Sequence, residues 1–331
     1  MNIAAFADDA TGALETGAQL AGAGVRAAVC FTGRPPGDAV PVFDTETRHL
    51  TAQQAEAAVA RAAAMCAGAR WVFKKTDSTL RGNIAAEFQA LLRAWPGRDI
   101  LYAPAYPALG RTVRDGALYV YGRPLGETEF ARDPLNPVHD GRIAPLLAGL
   151  RVRVRDGCTD EDLDAAAREA VESGALAAGT GAFAAHWAAA IPVPRAPRPP
   201  RPRPRGPWLA VNGSLHPVSR GQMRALGGWK ILQTPAARAQ DPAAVLRALA
   251  AEAAREIHGA AALLVCGGDT VFALLNELGI AAAEPWGELL PGVALSTLRY
   301  GGREIVLVTK AGGFGDETTL ARVRAMMEQG S

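Results

Sequence analysis

Ten consecutive residues, Lys74 to Asn83, read Lys-Lys-Thr-Asp-Ser-Thr-Leu-Arg-Gly-Asn and bring two ammonium groups, a carboxylate, three hydroxyls and a guanidinium together. The Arg81 guanidinium can grip a carboxylate through two parallel N–H bonds, with Lys74 or Lys75 beside it as a point charge. Such a set could form an anion pocket, and a capped helix start at Asp77 or Ser78 is the plainer alternative. Lysine occurs elsewhere only at Lys230 and Lys310, all other cationic side chains being arginine or histidine. A second set, Asp8-Asp9-Ala10-Thr11-Gly12, offers paired carboxylates. Successive strand residues point to opposite sides, so one of the two can serve as a general base while the other caps a helix. A third set is Asp44-Thr45-Glu46-Thr47-Arg48.

Each set follows an apolar run, Ile3–Ala7, Val40–Phe43 or Trp71–Phe73, and precedes a stretch with helical spacing, such as Ile84, Phe88, Leu91 and Leu92. Polar side chains at the carboxyl ends of strands are where open α/β sheets hold ligands. Ile100–Ala103, Val152–Val154 and Leu176–Gly179 continue the strand series, and residues 117–121 read as a hairpin or flap over the site. Ile191 to Pro207 is dense in proline and arginine, which suits neither a helix nor a central strand, and reads as an extended linker. The expected organisation is α/β with two domains, 1–190 and 208–331, joined by the linker 191–207. Each domain is expected to be a mostly parallel sheet flanked by helices, with the active site in the cleft between them.

Beyond the linker three turns join strand to helix through small residues: Gly213-Ser214, Gly267-Gly268 with Asp269-Thr270, and Gly312-Gly313 after Lys310. Glycine admits a phosphate close to the backbone, and the free N–H groups of a helix start can hold it, so these turns point to a nucleotide. No Gly-Lys-Ser/Thr occurs, which excludes a Walker loop. Asp77 or Asp269 could hold Mg²⁺, although Asp269 could equally cap its helix, and the metal ligands stay open. The five histidines show no ligand spacing.

The 331 residues allow two ordinary domains, and a net charge of +2 argues against nucleic acid as a partner. Four cysteines, scattered singly, fit a reducing cytoplasm. No apolar stretch approaches the length of a membrane span, and a homo-oligomer is left open.

The chain resembles the four-carbon acid sugar kinases. The resemblance is carried by Ala7-Asp8-Asp9-Ala10-Thr11-Gly12-Ala13, by Lys74 to Asn83, by Ala103-Pro104-Ala105-Tyr106-Pro107 with Gly110-Arg111-Thr112, and by Gly126 to Pro134. It continues in Gly213-Ser214, Gly267-Gly268-Asp269-Thr270 and Lys310 to Gly315, in family order from end to end. It implies a sugar-acid-binding N-terminal domain, an ATP-binding C-terminal domain, and phosphorylation of the terminal 4-hydroxyl of threonate, erythronate or 3-oxo-tetronate with ATP and Mg²⁺. Carried over by position, Asp8 or Asp9 is catalytic. Asp9, Arg48, Lys74, Lys75, Asp77, Ser78, Arg81, Gly110 and Arg111 bind the acid. Ser214, Gly267, Gly268, Asp269, Thr270, Lys310, Gly312 and Gly313 bind the nucleotide. The chain looks shorter than typical members, mainly between Ser214 and Gly267. A sugar-acid sensor with weak or lost turnover, and a kinase of another small-molecule class, are the alternatives.

Overall fold

The computed structural model describes residues 2–33, 37–133, 135–197, 200–204, 206–236 and 240–329. Pro134 of the Gly126–Pro134 motif, and Arg198, Pro199 and Arg205 of the proline–arginine stretch, lie outside them. The first half contributes strands β1 (Ile3–Ala7), β2 (Ala27–Cys30), β3 (Val40–Asp44), β4 (Trp71–Lys75), β5 (Ile100–Ala103), β6 (Arg111–Arg114), β7 (Ala117–Val120), β8 (Arg123–Pro124), β9 (Val152–Val154) and β10 (Leu176–Gly179). Its helices are α1 (Ala10–Gly22), α2 (Ala52–Ala64), α3 (Ile84–Ala94), α4 (Ile143–Leu146), α5 (Asp160–Ser173) and α6 (Gly181–Ala190). The second half adds β11 (Trp208–Asn212), β12 (Lys230–Gln233), β13 (Ala262–Cys266), β14 (Ala282–Leu290), β15 (Val293–Tyr300) and β16 (Arg303–Lys310). Helices α7 (Pro217–Met223), α8 (Pro242–Glu256), α9 (Gly268–Glu277) and α10 (Thr319–Gln329) complete it.

The mostly parallel α/β architecture is as expected, but the two sheets are not separate. They run together as one 13-stranded sheet in the order β12-β11-β13-β16-β15-β14-β2-β3-β1-β4-β10-β5-β9. The seam is an antiparallel pairing of β14 with β2, through Ala282–Cys30 and Ala283–Val29. β14 carries Pro285 and Gly287, which disqualify it as a central strand from sequence. Its pairing with β2 ends at Ala283, so the proline lies where only β15 is a neighbour. Helix α1 then crosses the seam, because Gly17 lets it settle onto Val29 of β2 and Pro285 of β14.

Parallel register lines up the strand ends that matter. Ala7 pairs with Asp44 and Lys75, Lys75 with Gly179, and Gly179 with Ala103. In the second half Asn212 pairs with Cys266, and Cys266 with Lys310. Because β16, β15, β14 and β2 pair antiparallel in turn, the parallel strands of the two halves run in opposite directions, and the polar loops of the first half leave one edge of its own strands. The flap is a three-stranded sheet, β6-β7-β8, folded over that edge. The described residues of 191–207 form no helix or strand, and they are tied to the body rather than hanging free. The Ala196 N–H donates to Gly24 O at 2.8 Å, and Arg201 donates to Glu288 O at 3.0 Å.

Candidate active site

At the end of β1, Asp8 and Asp9 part as strand alternation requires. Asp8 accepts a two-pronged bond from Arg48, at 2.8 Å from Nε and 3.0 Å from Nη2. Asp9 caps α1: Oδ1 accepts from the Gly12 N–H at 2.8 Å, while Oδ2 accepts from Thr11 Oγ1 at 2.7 Å and Arg48 Nη1 at 2.9 Å. A carboxylate offers about four acceptor sites, and three are taken here. One site on Asp9 Oδ1 remains, and Asp9, not Asp8, lines the cavity. Burial works against the Asp9 charge, yet Arg48 and Lys75 with the Thr11 and Gly12 bonds hold its carboxyl below the usual range.

Behind it stands a second acidic pair. Asp44 is pushed up to about 7 by burial, then by the neighbouring Asp9 charge. Glu46, which accepts from the Ala10 N–H at 2.9 Å, is pushed up to about 10 by burial and then by Asp44. Asp44 Oδ2 has no hydrogen-bond partner.

The two lysines of β4 separate. Lys75 lines the inner cavity, 3.2 Å from Glu15 Oε2, and burial, which opposes its charge, is outweighed by Glu15, Asp9 and Asp8. Lys74 points the other way, fully buried 3.0 Å from Glu87 Oε2 of α3 and 2.9 Å from Lys75 O. It does not line the cavity, which corrects its expected place beside the acid. Arg81 is also differently engaged. Its fork closes on Asp77, at 2.9 Å from Nε and 2.8 Å from Nη2, and Nη1 reaches Asp133 at 3.1 Å. Burial of Asp77 is overcome by Arg81 and Arg48, which hold its carboxyl well below the usual range. The two-pronged face expected to fork an acid is thus closed on Asp77 of the same motif, with Asp133 holding Nη1 from outside it. Ser78 lines the cavity, whereas Gly110 lies beneath the Tyr121 ring and does not line it.

In the second half the three small-residue turns converge. Gly267, at φ +100°, takes a backbone conformation that favours glycine and starts α9 without a side-chain cap. The first N–H groups of α9 are therefore free for a ligand. Ser214, Gly267, Gly268, Asp269, Thr270, Gly312 and Gly313 all line the cleft. Lys310 does not. Its Nζ is caught 2.9 Å from each of Ala311 O, Gly312 O and Phe314 O, and burial lowers its pKa. It shapes the 311–314 loop from behind instead of offering a free charge to phosphate.

The two halves meet at Gly268. A Cβ there would sit 2.7 Å from Asp9 Oδ2 and 3.2 Å from Thr11 Oγ1, so only glycine permits the approach. Residues of both halves enclose a cleft of about 640 Å³, continuous with an inner recess of about 50 Å³ beside Lys75 and Glu15. Several lining groups lay outside the sequence expectation. Tyr106 donates to Glu15 at 3.0 Å, Phe314 stacks edge-on with Tyr106 at 6.3 Å, and His49 contacts Asp269 at 3.3 Å across the cleft. The one available signal was Glu15, an acidic residue on the buried face of a small-residue helix. Among the described residues no group of three or more His, Cys, Asp or Glu is placed to hold a metal ion, and no helix is long and apolar enough to cross a membrane.

Comparison with known proteins gives two family-model matches and several relatives. A sugar-binding N-terminal domain model matches residues 3–150, and a nucleotide-binding C-terminal domain model matches 230–320. A D-threonate kinase of Bordetella bronchiseptica is 32% identical over 97% of this chain and 96% of its own length. A D-threonate kinase of Cupriavidus necator is 31% identical over 95% of each. The Bordetella alignment spans 400 positions, more than the 331 residues here, so that relative carries segments this chain lacks. Among solved structures, a Salmonella typhimurium protein described as a putative tRNA synthase shares the fold at 22% identity and TM-score 0.78, over 97% of this chain and 98% of its own. A Bordetella bronchiseptica domain of unknown function, a domain-swapped dimer with bound citrate, aligns at 30% identity and TM-score 0.52 over 97% and 96% of the two chains. On its motifs, on its relatives over nearly the whole length and on its sheet architecture, the chain belongs to the four-carbon acid sugar kinase family.

Proposed function

We propose that the chain transfers the γ-phosphoryl group of ATP to the terminal 4-hydroxyl of a four-carbon sugar acid. D-Threonate is the first candidate, since the relatives that align over nearly the whole chain carry that name. Residues 1–190 would bind the acid, 191–207 connect, and 208–331 bind the nucleotide. The observation that carries this reading is the contact at Gly268, which sets the uncapped start of α9 against Asp9. A helix N-terminus favours phosphate, and Asp9 keeps one acceptor site for a hydroxyl.

In this reading the acid enters the recess with its carboxylate toward Lys75, Ser78 and the outer edge of Arg81, and its C4 hydroxyl toward Asp9. The hydroxyl oxygen bonds to the γ-phosphorus while the bond to the β–γ bridging oxygen breaks. ADP leaves with that electron pair, and the hydroxyl proton passes to Asp9. A carboxylate held below its usual pKa is a weak base, so the proton moves late, as suits a loose phosphoryl-transfer transition state. Asp8 acts through Arg48, which it positions. The donor set also fits magnesium, which takes one or two carboxylates plus phosphate oxygens and keeps its waters. Asp269 at the cleft would hold it, and the ion would neutralise phosphate charge.

The test is ADP release by the purified protein with D-threonate, D-erythronate and 3-oxo-tetronate. Acid-dependent ADP formation is expected. Tight binding of an acid with no ADP formed from any of them would favour the sensor reading instead.

A further inference from the structure

The cations around the cleft are almost all spoken for. Arg48 is shared by Asp8 and Asp9, Lys75 faces Glu15, Arg81 is forked onto Asp77, and Lys310 is pinned by backbone oxygens. Arg132, exposed at the cleft, forms no ion pair among the described residues, and Arg111 is the buried exception. It is only 8% exposed, lines the cleft, and forms no ion pair among the described residues. Its Nη1 donates to Leu109 O, while its buried Nε has no hydrogen-bond partner. Folded proteins rarely leave a buried N–H unmade, and an exception at a cleft marks a place where a ligand supplies the acceptor. The guanidinium is held in place by two rings. Tyr121 at the flap lies 5.7 Å from Cζ, and Phe314 of the second half's glycine loop lies 5.8 Å from it. One clamp comes from each half, so the orientation of Arg111 depends on both being in place.

We propose that Arg111 is a catalytic residue that touches the transferring phosphoryl group, donating from Nε and Nη2 to its non-bridging oxygens. This rests on the kinase reading above. As the β–γ bridge breaks and the hydroxyl oxygen bonds to phosphorus, negative charge is spread over those oxygens, and a planar cation with two unpaired donors matches it. Phe314 sits on the loop expected to hold the nucleotide, so the cation is brought to bear only when that loop is docked against the flap.

The experiment compares wild type, Arg111→Lys and Arg111→Ala in the coupled ADP assay. Nucleotide and acid affinities are measured separately by titration, and melting temperatures are recorded. Wild-type turnover comes first: its absence with every acid would remove the kinase reading and this inference together. Given turnover, Arg111→Ala is expected to lower kcat by about 10³-fold, the size of an arginine's contribution to phosphoryl transfer. Affinities for ADP and acid should change less than threefold, and added guanidinium ion should recover part of the rate. Arg111→Lys, which keeps charge and packing, should also lose kcat, and it carries the test if the alanine variant does not fold. A near-normal kcat in Arg111→Lys with no guanidinium rescue of Arg111→Ala overturns the proposal. A loss confined to acid affinity overturns it too, and would make Arg111 an anchor for the substrate carboxylate.

Discussion

Replacing Gly268 by alanine tests the contact on which the proposed chemistry depends. Gly268 is not among the positive-φ residues, so alanine fits its backbone, and alanine is the better helix former by up to about 1 kcal/mol. The added methyl, however, would lie 2.7 Å from Asp9 Oδ2, about 0.7 Å inside ordinary contact. Asp9 cannot swing away cheaply, because Gly12, Thr11 and Arg48 all bond to it. The halves must therefore part by a comparable distance. Misplacement by about 1 Å can cost roughly 10²-fold in rate, so kcat should fall about 10- to 100-fold. Separate titrations of nucleotide and acid should change little, and the melting temperature should hold. Gly221→Ala is the control, since nothing lies within 4 Å of its Cβ position, and its kcat should match wild type. A Gly268→Ala enzyme within twofold of wild type would refute the idea that this contact sets the transfer geometry.

Three further outcomes follow from buried charges. Asp44 binds its proton more tightly folded, at about 7, than the model-compound value of 3.8, so the folded state loses stability as pH rises from about 4 to 7. Asp44→Asn removes that loss; urea titration should show it gaining up to about 4 kcal/mol over wild type at pH 8 and little at pH 4, whereas a larger loss at pH 8 would mean that Asp44 is ionised and needed. Lys74→Met strands the buried Glu87 carboxylate and should destabilise by about 3–5 kcal/mol, with the double change Lys74→Met/Glu87→Leu recovering most of it in the same titration. Lys310→Met releases the 311–314 carbonyls and should weaken ADP binding while leaving acid binding unchanged; calorimetry on both ligands distinguishes this from a general loss of fold.

The strand ends were legible because each apolar run stops at a polar cluster, and parallel register then gathers those clusters on one edge within each half. Lys74 was readable in principle. Successive β4 residues must face opposite sides, so Lys74 and Lys75 could not share a pocket, the same rule that separated Asp8 from Asp9. The engagement of Arg81 was not readable. It depends on a loop in which Leu80 takes φ +60°, and nothing in local sequence requires that. β14 was hidden by Pro285 and Gly287, which a strand tolerates only when one side lacks a neighbour. The union of two expected sheets followed from that hidden strand. His49, Tyr106 and Phe314 reach the cleft through contacts between segments far apart in the chain, which no periodicity encodes.

The most direct test of the central claim is the identity of the product. Wild-type protein, ATP, Mg²⁺ and the acid that gives turnover should yield one phosphomonoester per ADP. Its ³¹P resonance should couple to the two C4 methylene protons, as transfer to the terminal oxygen requires. Inorganic phosphate in place of the ester, or a phosphorus coupled to a methine proton at C2 or C3, would contradict the account of a hydroxyl at C4 facing Asp9 across the cleft from α9.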